Sequence, residues 1–369
     1  MALPGWATTE GTAAYRERFQ GRIPSDHYRQ SQGLWLSSIG IGTYLGNHDE
    51  KADELYRGAV ARSVELGCNV IDSAINYRFQ RSERAIGAAL GDLAQKGFDR
   101  RGVVVATKGG YLPFDGAPPP DIKSYFVDTF VKTGVATAAD LAAGCHCMTP
   151  AYLLNQLDAS RKNLDLDCID IYYVHNPETQ LAQIAPVELN RRLLKAFEAL
   201  EGAVGAGKIR MYGIATWNAF RIDPAMKDYL SLAEVVAIAR AAGGDNHHFK
   251  VIQLPLNLGM VEALTQRNQM VQKEQLSTLE AAQALGITVM CSASIYQGQL
   301  ARNLPEFVGD VFGGLETDAQ RALQFVRSTP GVTTALVGMK QIQHVEENLK
   351  TAEVSPALWE QYGRLFKTG

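Results

Sequence analysis

Four side chains able to hold or move protons stand at or just beyond the ends of apolar runs. Asp72 closes NVID, Tyr77 follows five residues later, Lys108 ends VVVATK and His175 ends IDIYYVH. A tyrosine titrates near pH ~10 in isolation. An ammonium beside it would lower that value by favouring the phenolate, and a carboxylate beside the lysine would keep the lysine charged. Asp72, Lys108 and Tyr77 therefore read as a chain in which each residue sets the state of the next, with His175 as a donor that orients a carbonyl oxygen toward Tyr77. Taken singly, each has a plainer reading: a turn cap, a packing phenol, a solvated lysine, a turn histidine. Their convergence is what points to acid–base chemistry at a carbonyl.

Convergence needs elements that bring the four together. Short apolar runs (SIGIG, CNVID, VVVAT, CIDIYYV, MYGIAT, KVIQL, ITVMCS and TTALVG) alternate with amphipathic stretches such as ADELYRGAVARSVELG and PAYLLNQLDASRKNL, which often end near glycine. Strands apolar on both faces and separated by helices imply a parallel sheet with right-handed crossovers, and eight such units predict a closed (β/α)8 TIM barrel, an α/β fold. A doubly wound sheet would put a G-x-G-x-x-G turn after an early strand, and none stands there. HYRQS and LWLSS flank Gln32 and Gly33 and predict an N-terminal hairpin. Residues 1–26 read as an irregular arm and 27–369 as a single barrel domain. The connections 109–148 and 293–317, after the third and seventh strands, are too long for simple turns and are expected to wall a pocket at the C-terminal mouth. The connection after Leu254 is expected to hold extra helix.

Composition narrows the function classes. Of the 369 residues, 46% are hydrophobic and 20% charged, with a net charge of -3. That balance, without a basic stripe, argues against a nucleic-acid surface. The first residues lack the charged and apolar regions of a leader, and no apolar run reaches membrane-spanning length, so the expected location is cytoplasmic. The five cysteines, Cys68, Cys145, Cys147, Cys168 and Cys291, are odd in number, and the three in or beside apparent strands, Cys68, Cys168 and Cys291, read as reduced core thiols, not as a disulfide framework. Cys145-His146-Cys147 is too tight for a zinc knuckle and lacks a second pair, so no metal site is expected. Asn246, His247 and His248 precede the sixth strand and are expected on the opposite rim.

At these residues the sequence resembles the aldo/keto reductase superfamily. The likeness runs in order through GIGTY at Gly40–Tyr44, NVIDSAINY, SERAIGAAL, VVVATKGG, IDIYYVH, GKIRMYGIAT, IQLPLN and GMKQIQHVEENL, about residues 27 to 351. It implies a barrel that binds a nicotinamide cofactor without a Rossmann fold and passes hydride to an aldehyde or ketone, or in reverse from the alcohol. By that likeness Tyr77 is the proton donor, Lys108 and Asp72 tune it and His175 positions the substrate. Gly42, Thr43, Tyr44, Asp72, Thr216, Gln253, Gly338, Lys340, His344, Glu347 and Asn348 fall where the family holds the cofactor. Gln341 and His344 replace the serine and arginine that often grip a 2′-phosphate, while Lys340 still favours NADP, with NAD as the other choice. Ala215 and Thr216 replace the usual Ser-Asn pair, and Ser292 stands where an aromatic ring stacks on the nicotinamide. The expected partner is a small carbonyl or alcohol substrate. Two alternatives stay open: a cofactor-binding regulatory or scaffold protein, as in potassium-channel β subunits, and a metal-dependent barrel hydrolase, for which GIGTY lacks the H-x-H pair.

Overall fold

A computed structural model describes residues 2–366. Eight parallel strands close into a barrel: β1 (Ile39–Gly42), β2 (Val70–Asp72), β3 (Val104–Gly109), β4 (Ile169–His175), β5 (Ile209–Ala215), β6 (Phe249–Pro255), β7 (Thr288–Ser292) and β8 (Thr334–Gly338). Closure is made by β8 pairing with β1, with Gly338 opposite Gly42. All eight are among the runs picked out above, because a strand buried on both faces has no polar alternation to obscure it.

Around the barrel lie α1 (Glu50–Glu65), α2 (Arg81–Gln95), α3 (Pro150–Leu164), α4 (Pro186–Gly205), α5 (Leu232–Gly243), α6 (Thr278–Ala284), α7 (Asp318–Ser328) and α8 (Ile342–Leu349). Their starts follow from local chemistry. Asp49 accepts from the Ala52 amide at 2.8 Å to cap α1, Ser277 with Glu280 and Thr317 with Gln320 form capping boxes for α6 and α7, and α3 and α4 begin on proline. On α1 the buried residues Ala52, Tyr56, Ala59, Val60, Ser63 and Val64 recur at helical spacing and face the sheet. The spacing of β5 and β6 leaves little room for side chains between strands: a Cβ on Gly213 would lie 1.8 Å from the Val251 carbonyl oxygen, where β5 and β6 also shift register.

The hairpin Tyr28–Ser31/Leu34–Ser37 closes the N-terminal end of the barrel. Gln32 and Gly33 at its tip both have positive φ, the backbone that two-residue hairpin turns require. Leu34 and Leu36 join Val70, Val104, Ile171, Met211, Val251, Met290 and Leu336 in the interior cluster, and the Ser37 amide donates to Asn69 Oδ1 at 2.8 Å. The barrel interior is thus filled by side chains at that end.

One expectation needs correction. The described part of the N-terminal 26 residues is not an irregular arm. Thr9–Glu17 is a helix capped by Thr8, and Tyr15 and Phe19 are buried in the same cluster as Ile39 and Val64. Its apolar positions are too few to announce a helix, but a close approach to Arg101 at Gly11 and the Tyr15 hydroxyl bond to the Val64 carbonyl, 2.6 Å, fix it. The connection after β6 holds extra helix as expected, Glu262–Thr265, and adds a hairpin that was not expected, Gln269–Val271 with Glu274–Leu276. Its turn residues, Gln272 and Lys273, take left-handed backbone without the asparagine or glycine that would signal it.

Candidate functional site

Asp72, Lys108, His175 and Gln253 all lie at or near the C-terminal ends of their strands, and Tyr77 is brought back to them by the turn after β2. The Ser73 amide donates to the Ala106 carbonyl at 2.9 Å and the Ile75 amide to the Lys108 carbonyl at 3.2 Å, folding the segment across the end of β3. Lys108 Nζ then donates to Asp72 Oδ2 at 2.7 Å and to the Ser73 carbonyl at 2.6 Å. The Tyr77 ring sits over the same ammonium, with Nζ 4.9 Å from its centroid. The second Asp72 oxygen accepts from Gln253 Nε2 at 2.7 Å. The His175 ring meets Tyr77 edge-on, centroids 5.9 Å apart. The four titratable groups are together, as their spacing implied.

Their protonation differs from the expectation in one respect. Burial pushes the Tyr77 phenol well above its ordinary value, and Asp72, Tyr44 and Tyr111 add to the shift. The Lys108 ammonium, hydrogen-bonded to Asp72 and to the Ser73 carbonyl, does not reverse this. Burial likewise lowers Lys108, against the pull of Asp72. The His175 imidazole is held well below its usual value by burial and by Lys108. The resting arrangement is a neutral phenol and a neutral imidazole above an ammonium–carboxylate pair, and a phenol kept protonated can donate.

The same shifts set the acid stability. His146 is lowered to about 4, and His27 and His175 are lowered strongly as well, all chiefly by burial. Each folded-state value lies below the ~6.5 of the unfolded chain, so the unfolded state binds more protons in between and stability is lost as pH falls below about 6.5. For His146 the loss is complete near pH 4 and amounts to about 3 kcal/mol. A thermal melt followed from pH 7.5 to 4 should fall steadily below about pH 6.5, and a flat profile would refute the burial of these rings as neutral.

Above the pair a cleft of about 950 Å³ runs from Tyr77, Tyr111 and His175 past Gln253 to the turn after β8 and the start of α8, near the upper end of the roughly 300–1,000 Å³ of ligand sites. Of the residues expected to hold a cofactor, Gly42, Thr43, Tyr44, Asp72, Thr216, Gln253, Gly338, Lys340, His344, Glu347 and Asn348 all line it. Several features there fit an elongated ligand ending at α8. Gly42 and Gly338 leave bare backbone side by side, the first turn of α8 has no side-chain cap, and Asn348 Oδ1 is buried without a partner. Two of the expected contacts are already engaged by the protein. The Thr43 hydroxyl donates to the Asp72 carbonyl at 3.2 Å and the Ser73 hydroxyl at 3.0 Å. The Thr216 hydroxyl donates to the buried Glu178 carboxylate and accepts from the Ala219 amide at 2.9 Å. Gln253 keeps its Oε1 for a carboxamide, since only its Nε2 is bound to Asp72.

Sequence reasoning missed Glu178, which also accepts from the Trp217 and Asn218 amides at 3.2 and 3.4 Å and so ties the turn after β4 to the turn after β5. It missed Arg78, Phe79 and Gln80, three consecutive residues in left-handed backbone directly after Tyr77. Arg78 is held there by the Asn47 carbonyl at 2.7 Å and by Asp53 at 2.6 Å. No residue type in that stretch signals such a conformation. Among the described residues no group of three or more His, Cys, Asp or Glu side chains could hold a metal ion. His248 is bonded to Glu201 at 2.7 Å, by the N-terminal end of β6.

A model of the Aldo/keto reductase family matches residues 38–239, more than half of the chain. The chain belongs to the aldo/keto reductase family. It is 27% identical over 196 residues to an NADP(+) aldo-keto reductase of Schizosaccharomyces pombe, a match covering 53% of this chain and 46% of that protein. It is also 23% identical over 353 residues to a putative voltage-gated potassium channel subunit beta from the same organism, covering 92% of each. Two solved aldo/keto reductases share the fold. One is the holo form of an enzyme from Bacillus halodurans, with a TM-score of 0.61, 21% identity and coverage of 92% of this chain and 95% of that one. The other, from Klebsiella pneumoniae in complex with NADP and acetate, has a TM-score of 0.60, 19% identity and coverage of 91% and 93%.

Proposed function

We propose that this aldo/keto reductase interconverts an aldehyde or ketone with its alcohol, using a nicotinamide cofactor held in the cleft between Tyr77 and α8. The observation that carries the reading is the stacking of Tyr77 over the Lys108–Asp72 pair at the inner end of a cleft whose far end is lined by Lys340, His344 and Asn348. The cofactor would supply or accept the hydride. Tyr77 would give its phenolic proton to the carbonyl oxygen as charge develops there, and take it back in the reverse direction. Lys108 would stabilise the phenolate so formed, and Asp72 would hold Lys108 in place and charged. His175, neutral and beside Tyr77, would donate a hydrogen bond to the same oxygen and fix its direction. Tyr44, Tyr111 and Trp217 at the mouth would wall the carbonyl's substituents.

Lys340 beside the start of α8 supports NADP(H) over NAD(H). A phosphate gains from an ammonium and free helix amides together. Lys340→Ala should weaken NADPH about tenfold, the loss of roughly one charge-assisted hydrogen bond, and leave NADH nearly unchanged. Titration of cofactor fluorescence measures both, and equal losses would remove Lys340 from the 2′-phosphate site.

A regulatory role is the second reading. The likeness to the potassium channel β subunit spans nearly the whole chain, and Ser292 offers no ring beside the nicotinamide position. Bound NADPH with no turnover on a panel of aldehydes and ketones would favour it; cofactor oxidation dependent on added carbonyl would exclude it.

A further inference from the structure

His146 lies in the long β3–α3 connection and is fully buried, yet it plays no part in the chemistry proposed above. Its hydrogen bonds leave only one arrangement of protons. Arg192 from α4 donates to Gln180 Oε1, and a guanidinium can only donate, so the amide of Gln180 cannot be turned round. Gln180 Nε2 therefore faces His146 Nδ1, at 2.8 Å, and Nδ1 must accept. The ring proton is then on Nε2, which lies 2.7 Å from the carbonyl oxygen of His175 and donates to it. Gln180 Nε2 also bonds the His146 carbonyl at 3.1 Å, fixing the backbone that carries the ring.

The His175 side chain needs such support. Its own Nδ1 is buried without a partner, so the hydrogen bond that usually orients an imidazole from behind is missing. The peptide unit that follows it is instead gripped from two sides. His146 holds the carbonyl, and the Asn176 amide donates to the Ala215 carbonyl at 2.7 Å, with Asn176 in left-handed backbone at φ 44°. Tyr111 completes the mount. Its ring stands edge-on to both imidazoles, with centroids 5.3 Å from His146 and 5.0 Å from His175, and its hydroxyl is bonded to Asn176 and Thr179, each at 3.1 Å. Gly110 permits the approach, since a Cβ there would come within 2.7 Å of His146 Nε2.

We propose that His146 is a positioning residue for the reaction, its Nε2–H clamping the His175 carbonyl so that the His175 ring and the Tyr111 wall keep one orientation toward the substrate. The assignment rests on the function proposed above. It makes the β3–α3 connection part of the catalytic framework instead of a loose lid, with Gln180 and Arg192 as the outer links.

The test compares His146→Leu, which has no donor, with His146→Gln, whose Nε2 can reach the same carbonyl. His146→Leu should lower kcat by about 10²-fold, the cost of slight misplacement at a reacting centre, while NADPH binding by fluorescence is unchanged. His146→Gln should recover most of the rate. In a His175→Asn background, His146→Leu should cost nothing further, because the residue it supports is gone. An equal loss in that background, a parallel loss of NADPH binding, or no loss at all would overturn the proposal. Nitrogen-15 shifts of histidine-labelled wild type give a readout independent of activity and of how the variants fold: His146 should be the Nε2–H form, and an Nδ1–H form would refute the clamp. A wild type that binds NADPH but reduces no carbonyl would defeat the proposed function, and the nitrogen shifts would then decide the clamp alone.

Discussion

Tyr77→Phe is expected to lower carbonyl-dependent oxidation of NADPH by about 10²–10⁴-fold, the range contributed by a positioned general acid. The substitution removes one hydroxyl and leaves the ring that lies over Lys108, so the fold and the cleft should be untouched. NADPH affinity should therefore be unchanged and the loss should appear in kcat. The phenol, half-buried at the inner end of the cleft, is held protonated in the resting protein, so the rate of reduction should not depend on Tyr77 ionising between pH 6 and 9. Loss of NADPH affinity in step with kcat would place Tyr77 in the cofactor site, and an unchanged kcat would remove it from the mechanism.

Asp72→Ala is expected to harm stability as well as turnover. Asp72 accepts from Lys108 at 2.7 Å and from Gln253 at 2.7 Å, and the lysine is 1% exposed. Removing the carboxylate leaves a buried ammonium with only the Ser73 carbonyl, a type of change that costs about 3–5 kcal/mol. Burial already lowers Lys108, and without Asp72 it does so unopposed. The folded-state value then falls further below the unfolded ~10.4, the unfolded chain binds more protons in between, and stability rises with pH across that window. The deficit of Asp72→Ala relative to wild type should be large at pH 7 and shrink as pH approaches 10. A deficit independent of pH would mean that lost packing, not an unpaired charge, is responsible.

Much of this architecture is legible in the chain because it depends on neighbours in sequence. A strand such as Ile169–His175, buried on both sides, announces itself as an apolar run, and Asp72, Lys108 and His175 are polar residues placed where such runs stop. Tyr77 is found by its spacing from Asp72. What is not legible depends on contacts between distant segments. The direction of the Tyr77 shift follows from desolvation by the walls of the cleft and from Tyr44 and Tyr111, which composition cannot weigh against a nearby lysine. Thr216 stands where a carboxamide contact is expected, yet its hydroxyl is claimed by Glu178 from another turn. His146 is conspicuous between two cysteines, a setting that invites a metal reading, whereas its partners come from residues 175 and 180. Arg78, Phe79 and Gln80 adopt left-handed backbone because Asp53 and the Asn47 carbonyl hold Arg78, not because their own residue types favour it.

The central claim is that hydride passes between a nicotinamide and a carbonyl carbon beside the Tyr77 hydroxyl. Incubating the protein with NADPH carrying deuterium at both C4 positions and a reducible aldehyde, then weighing the alcohol by mass spectrometry, tests it most directly. One deuterium on the former carbonyl carbon, formed by the wild type and nearly absent with Tyr77→Phe, is the predicted result. An alcohol without deuterium, or one formed equally fast by the phenylalanine variant, would contradict it.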